Sequence, residues 1–199
     1  MSIDGLILAA GCSERAGTFK PSFDLGGKAL LIRSIESMRL VCDGIVVVGG
    51  CRFPELEALL AALPDIILVR NARYKQGMFS SVQAGLRKIT GDAFFLLPGD
   101  QPLVKEETLR AMAAADAEIV VPRFRGKKGH PVFFRAGCIP EILALPDKEI
   151  LRNYIHTKAD VRILDVEDPG INLDADTPGD LEKMRDYFLE QAPKKEDLV

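Results

Sequence analysis

The 199-residue sequence predicts a single α/β domain of three layers, Rossmann-like, with helices on both faces of a mostly parallel mixed sheet. Three observations carry this. Short runs rich in Val, Ile, Leu and Phe alternate with stretches of helical pattern, the order that builds βαβ units. Several runs, "GIVVVGG" and "AFFLLPGD" among them, are apolar at consecutive positions, which fits strands covered on both faces. The chain is 47% hydrophobic, ample at this length for one core.

The expected strands are "GLILAA" (5–10), "GIVVVGG" (44–50), "IILVRN" (66–71), "AFFLLPGD" (93–100), "EIVVPRF" (118–124), "HPVFFR" (130–135) and "VRILDVE" (161–167). Between them, helices are expected at 28–41, 54–63, 80–89, 105–115, 138–145, 148–157 and 178–191. The last has a clear start: Thr177 at the cap, Pro178 at the first helical position, and Asp180 where a capping-box acid would sit. There is no internal repeat, so the domain is expected over 1–192, with a polar tail at 193–199.

Charge and cysteines narrow the functional classes. The net charge of −3 implies no basic face, which argues against nucleic acid as the main partner. No apolar run approaches the ~20 residues of a membrane span. The opening "MSIDGLILAAG" reads as a first strand rather than an export signal. None of Cys12, Cys42, Cys51 and Cys138 falls in CxxC spacing, so neither a zinc site nor a redox motif is suggested. Few cysteines and no export signal point to a reducing cytoplasm.

In open α/β sheets, ligands sit beyond the carboxyl ends of the strands. The loop after the first strand, "LAAGCSERAGTFK" (8–20), gathers Gly11, Ser13, Arg15, Gly17 and Lys20. Glycines let the backbone turn sharply, and successive N–H groups in a turn make an anion-binding concavity. Arg15 and Lys20 add positive charge, so the loop reads as a polyphosphate cradle, or else as a glycine-rich connection with solvated charges. It is neither a P-loop nor a GxGxxG fingerprint. Asp100 follows a buried strand in "FFLLPGDQPLV", and Asp174 and Asp176 lie in "GINLDADTPGD". Such acids can be turn formers or caps, a role that suits Asp176 beside Thr177, or they can hold Mg²⁺ together with substrate phosphates.

The loop resembles the LAAGxSxRMGxxK signature of the MobA-like NTP transferase superfamily, with Ala16 in place of the usual methionine. "GDQP" and "LDADTP" resemble its two metal-binding acid motifs. The segment "YKQGMFSSVQAGL" (74–86) is similar to the serine loop of molybdenum cofactor cytidylyltransferases, and "GKKGHPVFF" (126–134) to their strand near the acceptor. The matches run from residue 5 to about 183. They imply the fold of nucleotide-diphospho-sugar transferases, and a Mg²⁺- or Mn²⁺-dependent transfer of CMP from CTP to the phosphate of a molybdopterin-type acceptor.

On this resemblance, nucleotide would be gripped by Leu8, Ala9, Ala10, Gly11, Ser13, Arg15, Lys20, Gly77, Ser80, Ser81, Pro98, Gly99 and Asp100. Metal would sit on Asp100 and Asp174. The acceptor would meet Gln101, Gly129 and His130. Arg15, Lys20 and Asp100 would carry catalysis. An ionised acceptor phosphate needs no general base, so positioning and charge neutralisation suffice. A molybdoenzyme receiving the cofactor is the implied partner. The segment "LPDKEILRNY" departs from the family's glycine-containing acceptor segment, although Lys148 and Arg152 could supply charge. That departure keeps open a sugar or polyol phosphate acceptor; a non-catalytic delivery module is the third reading. His130, a lone histidine beside a proline, reads more readily as structural than catalytic. Cys12 is expected to be a small spacer.

Overall fold

A computed structural model describes residues 1–12 and 19–191, with Pro178 described by its backbone only. Along the described residues the order is β1 (Ile3–Ala9), α1 (Leu30–Arg39), β2 (Gly44–Gly49), α2 (Phe53–Leu60), β3 (Ile66–Arg70), α3 (Met78–Leu86), β4 (Ala93–Pro98) and α4 (Glu106–Ala113). There follow β5 (Ile119–Phe124), β6 (Lys127–Lys128), β7 (Val132–Arg135), α5 (Ile139–Ala144), α6 (Leu151–Thr157), β8 (Val161–Asp165) and α7 (Pro178–Gln191). Short 3-10 turns occupy Lys20–Ser22, Tyr74–Gln76, Ala136–Cys138 and Pro169–Asn172.

The strands form one sheet in the order β3-β2-β1-β4-β7-β5-β6, with β8 also paired to β5. β1 runs parallel to β2 and β4, β2 to β3, and β5 to β8; β7 is antiparallel to both neighbours. The sheet is therefore mostly parallel and mixed, as expected. The order reverses at β1, with β2 and β3 to one side and β4 to the other. Connections leaving in opposite directions open a crevice beyond the carboxyl ends of β1 and β4.

Consecutive residues of each strand feed opposite faces, which explains the unbroken apolar runs. Ile7, Val47, Phe95 and Leu97 pack with Leu31 and Ile35 of α1, Leu56 of α2, and Leu109 and Met112 of α4. Leu6, Val46, Val48, Phe94 and Leu96 pack with Phe79 and Val82 of α3, Ile142 of α5 and Tyr154 of α6. The antiparallel β4–β7 register sets Phe94 opposite Phe134 and Phe95 opposite Phe133. Their ring centroids lie 5.0 and 5.1 Å apart, the first pair stacked and the second edge-on. All four rings are fully buried, each contributing up to about 3 kcal/mol.

β6 was not anticipated. Two residues cannot display an alternating pattern, and the signal lay instead in the turn at Arg125 and Gly126, whose φ values are 48° and 82°. α3 starts at Met78 rather than 80 because Gly77, at φ 110° and ψ 171°, supplies the break before it. The start of α7 is as expected: the Asp180 N–H donates to Thr177 Oγ1 at 3.2 Å and the Thr177 N–H to Asp180 Oδ2 at 3.0 Å. The tail 193–199 lies outside the described residues.

One buried carboxylate brings distant parts of the site together. Asp168 is fully buried and accepts from the Lys105 N–H at 2.9 Å, Thr108 Oγ1 at 2.8 Å and the Gly170 N–H at 2.9 Å. It therefore ties the start of α4, just after Asp100, to the turn that leads into Asp174.

Candidate active site

The crevice holds a cavity of about 700 Å³, within the range that accommodates small-molecule and cofactor ligands. Leu8, Ala9, Ala10, Gly11 and Cys12 line it where β1 ends, and Pro98, Gly99 and Asp100 where β4 ends. The two strand ends are stitched together: the Gly99 N–H donates to Leu8 O at 2.9 Å. Ser34 Oγ of α1 lies 3.0 Å from Gly99 O, fixing the carbonyl just before Asp100. The apolar drive that buries β4 thus delivers a carboxylate to the crevice at the first residues beyond the strand.

Lys20, at the start of a 3-10 turn, joins the two acidic segments. Its Nζ donates to Asp176 Oδ1 at 2.7 Å and lies 3.5 Å from Asp100 Oδ2. Burial pushes the Asp100 carboxyl above the ordinary aspartate range; Lys20 opposes the shift, while Asp176 and Asp174 add to it. Asp174 is thus near enough to Asp100 to be felt electrostatically. Asp176, read from sequence as a cap, lines the cavity itself and is paired with Lys20, while Thr177 and Asp180 form the cap. Among the described residues, Asp100 and Asp176 meet at Lys20, while Asp174 is exposed and does not line the cavity; oxygen ligands of this kind suit a divalent cation. Among the described residues no three His, Cys, Asp or Glu side chains are already gathered at metal-binding distance. A site supplying one or two carboxylates and completed by phosphate oxygens and water is the usual arrangement for Mg²⁺.

The serine segment forms the opposite wall. Ser81 lines the cavity, with Tyr74, Lys75 and Met78. Ser80 is fully buried and is not part of the lining. Its Oγ lies 2.8 Å from Gly77 O and 3.0 Å from Arg73 O, so it braces the turn and does not cap α3. Asn71 Nδ2 donates to both Ser80 and Ser81 at 2.9 Å, and Asn71 Oδ1 accepts from the Arg73 N–H. Gly77 shapes the turn without lining the cavity.

Gln101, Gly129 and His130 do not line this cavity either. Gln101 is buried, and among the described residues its Oε1 has no hydrogen-bond partner. Gly129 packs on the backbone of Ile171, where a Cβ would come within 2.3 Å of Ile171 O. The His130 N–H donates to the same carbonyl at 3.0 Å. Burial, reinforced by the Arg152 charge, drops the His130 imidazole to about 4, so it is neutral at pH 7 and supplies no positive charge to an acceptor. Arg152, from the departing segment, therefore stands close enough to His130 to perturb it.

Ser13 and Arg15 lie outside the described residues. Cys12 is not a spacer: it forms a disulfide with Cys51, across a Cα separation of 5.0 Å. Five other contributors were not singled out from sequence. Tyr74, Lys75 and Met78 stood inside the quoted serine segment, and Met78 is 69% exposed, an apolar side chain left at the cavity edge. The other two are Pro21, which follows Lys20, and Leu30, buried at the start of α1.

A mostly parallel sheet with its order reversing at a strand-end cavity, charged by lysine and aspartates, is the architecture of an α/β ligand-binding domain. Comparison with known proteins narrows the class. The profile of the MobA-like NTP transferase domain matches residues 5–162, and the chain belongs to that family; it is a nucleotidyltransferase. It is 28% identical over 190 residues to the molybdenum cofactor cytidylyltransferase of Escherichia coli K12, covering 95% of this chain and 98% of that one. A nucleotidyl transferase from Methanothermobacter superposes with a TM-score of 0.83 at 25% identity, covering 95% of this chain and 98% of that one. A Mycobacterium tuberculosis protein solved in complex with manganese gives a TM-score of 0.76 at 25% identity, covering 94% and 99%.

Proposed function

We propose that this enzyme transfers CMP from CTP to the terminal phosphate of a molybdopterin-type acceptor and releases pyrophosphate. The observation that carries the reading is the convergence of Lys20, Asp100 and Asp176 on one strand-end cavity. The full-length similarity to a cytidylyltransferase supports CTP as the donor and a molybdenum cofactor precursor as the acceptor.

The backbone from Ala9 to Cys12 approaches the triphosphate, and Ser81, Tyr74 and Met78 form the wall facing nucleoside and acceptor. Asp100 and Asp174, with Asp176 beside them, would hold Mg²⁺ or Mn²⁺. When bound, that ion neutralises phosphate charge and favours pyrophosphate as a leaving group. Lys20 exchanges its carboxylate partners for phosphate oxygens as nucleotide enters, and Arg15 assists it. The acceptor phosphate is ionised at neutral pH and attacks the α-phosphorus directly, so no side chain need remove a proton. This accords with a neutral, half-buried His130. The enzyme would work in the cytoplasm and pass its product to a molybdoenzyme.

The test is pyrophosphate release from a panel of CTP, GTP, ATP and UTP against molybdopterin, a sugar phosphate and a polyol phosphate. Release is expected with CTP and the molybdopterin-type acceptor. Turnover only with a sugar or polyol phosphate would reassign the acceptor, and tight binding without pyrophosphate release would make the protein a delivery module.

A further inference from the structure

Cys12 and Cys51 are far apart in sequence, by 39 positions, but the β1–β2 register makes them neighbours. β1 and β2 pair as Leu8↔Val48 and Ala9↔Gly49. Beyond the strands, the Cys51 N–H donates to Ala10 O at 3.1 Å. The turn carrying Cys51 also holds the chain on the far side of the cavity loop: the Arg52 guanidinium stands 4.9 Å from the Phe19 ring centroid. Both sulfurs belong to half-exposed residues, and Cys12 lines the cavity. The other two cysteines are poor competitors for oxidation. Burial pushes the Cys42 thiol up to about 12 and that of Cys138 to about 11, which leaves little thiolate at neutral pH.

We propose that Cys12 and Cys51 are a reversible thiol–disulfide modification site that tunes nucleotide binding. This rests on reading the cavity as the nucleotide site. The reactant is a low-molecular-weight disulfide. One cysteine thiolate attacks it, forming a mixed disulfide and expelling one small thiolate. The second cysteine thiolate attacks that mixed disulfide, forms the Cys12–Cys51 bond and expels the second small thiolate. Two protein thiols are oxidised, one small disulfide is reduced to two thiols, and the protons balance through solvent. With the bond closed, the Gly11–Cys12 backbone is held at the cavity wall and need not be ordered when phosphate arrives. With it open, binding bears that ordering cost. Oxidation therefore tightens nucleotide binding, by about threefold to tenfold if one or two ordered groups are spared.

The experiment equilibrates the whole protein with reduced or oxidised glutathione, counts alkylatable thiols under denaturing conditions by mass spectrometry, and measures CTP affinity and KM in each state. The expected result is four thiols reduced and two oxidised, with Cys42 and Cys138 the survivors. A lower KM for CTP accompanies oxidation, with little change in kcat. Cys51→Ala, at a residue outside the cavity lining, abolishes the redox response and keeps the reduced-state KM. The wild-type thiol count needs no variant. Four thiols in both states, or two states with equal and measurable CTP affinity, would overturn the proposal alone. Absence of CTP binding in both states would strike the nucleotide reading and take this proposal with it.

Discussion

Asp100→Ala leaves a folded protein whose turnover is lower by on the order of 10² to 10³, the range seen when a preorganised electrostatic group is removed. The carboxylate stands where β4 delivers it, 3.5 Å from Lys20 Nζ, on a wall of the cavity. Stability should not fall with activity. A carboxylate whose folded-state pKa is raised is less stable charged in the fold than in the unfolded chain. Its contribution therefore becomes unfavourable as pH rises from the unfolded aspartate value through the folded one, and at neutral pH the fold tolerates or gains from its loss. Lys20 also keeps its 2.7 Å partner Asp176. Steady-state kinetics at saturating Mg²⁺ and a melting curve check both halves. Near-normal turnover would remove Asp100 from the mechanism.

Lys20→Ala lowers kcat/KM for CTP by about tenfold to a hundredfold, the loss of a hydrogen-bonded charge of roughly 1.5–3 kcal/mol. Lys88→Ala, on an exposed stretch just past α3, changes it by less than about twofold, as surface charges usually do. The two lysines differ in what surrounds them. Lys20 is 11% exposed along its side chain and lies against two carboxylates, Asp100 and Asp176, so its removal takes a positive charge from both. Because Lys20 now opposes the upward shift of Asp100, the variant should also move the acid limb of the activity profile to higher pH. Equal effects of the two substitutions in nucleotide titrations would contradict the role given to Lys20.

The layers of the fold were legible because the runs of β1, β2 and β4 are apolar on both faces, as strands of a covered parallel sheet are. The position of the cavity followed from the same pattern, since ligands in these sheets sit past the carboxyl ends of strands. What escaped was whatever depends on register or on distance through space. Cys12 and Cys51 become partners only once β1 is known to lie beside β2 with Ala9 opposite Gly49. Ser80 and Ser81 are adjacent and chemically identical. Helix phase alone sends Ser81 to the cavity and turns Ser80 back on Gly77. Asp176 looked like part of a cap because it precedes Thr177, yet the capping box runs from Thr177 to Asp180 and leaves Asp176 to Lys20. The pairing of acid segments 100 and 174–176 needed Asp168, a buried carboxylate with no sequence signature.

The most direct measurement is a crystal structure of the protein with Mn²⁺ and a non-hydrolysable CTP analogue. The account predicts the triphosphate against Gly11 and Lys20, with the metal bridging phosphate oxygens to Asp100 and to a carboxylate of the Asp174–Asp176 segment. Nucleotide bound away from this cavity, or metal held without Asp100, would contradict it.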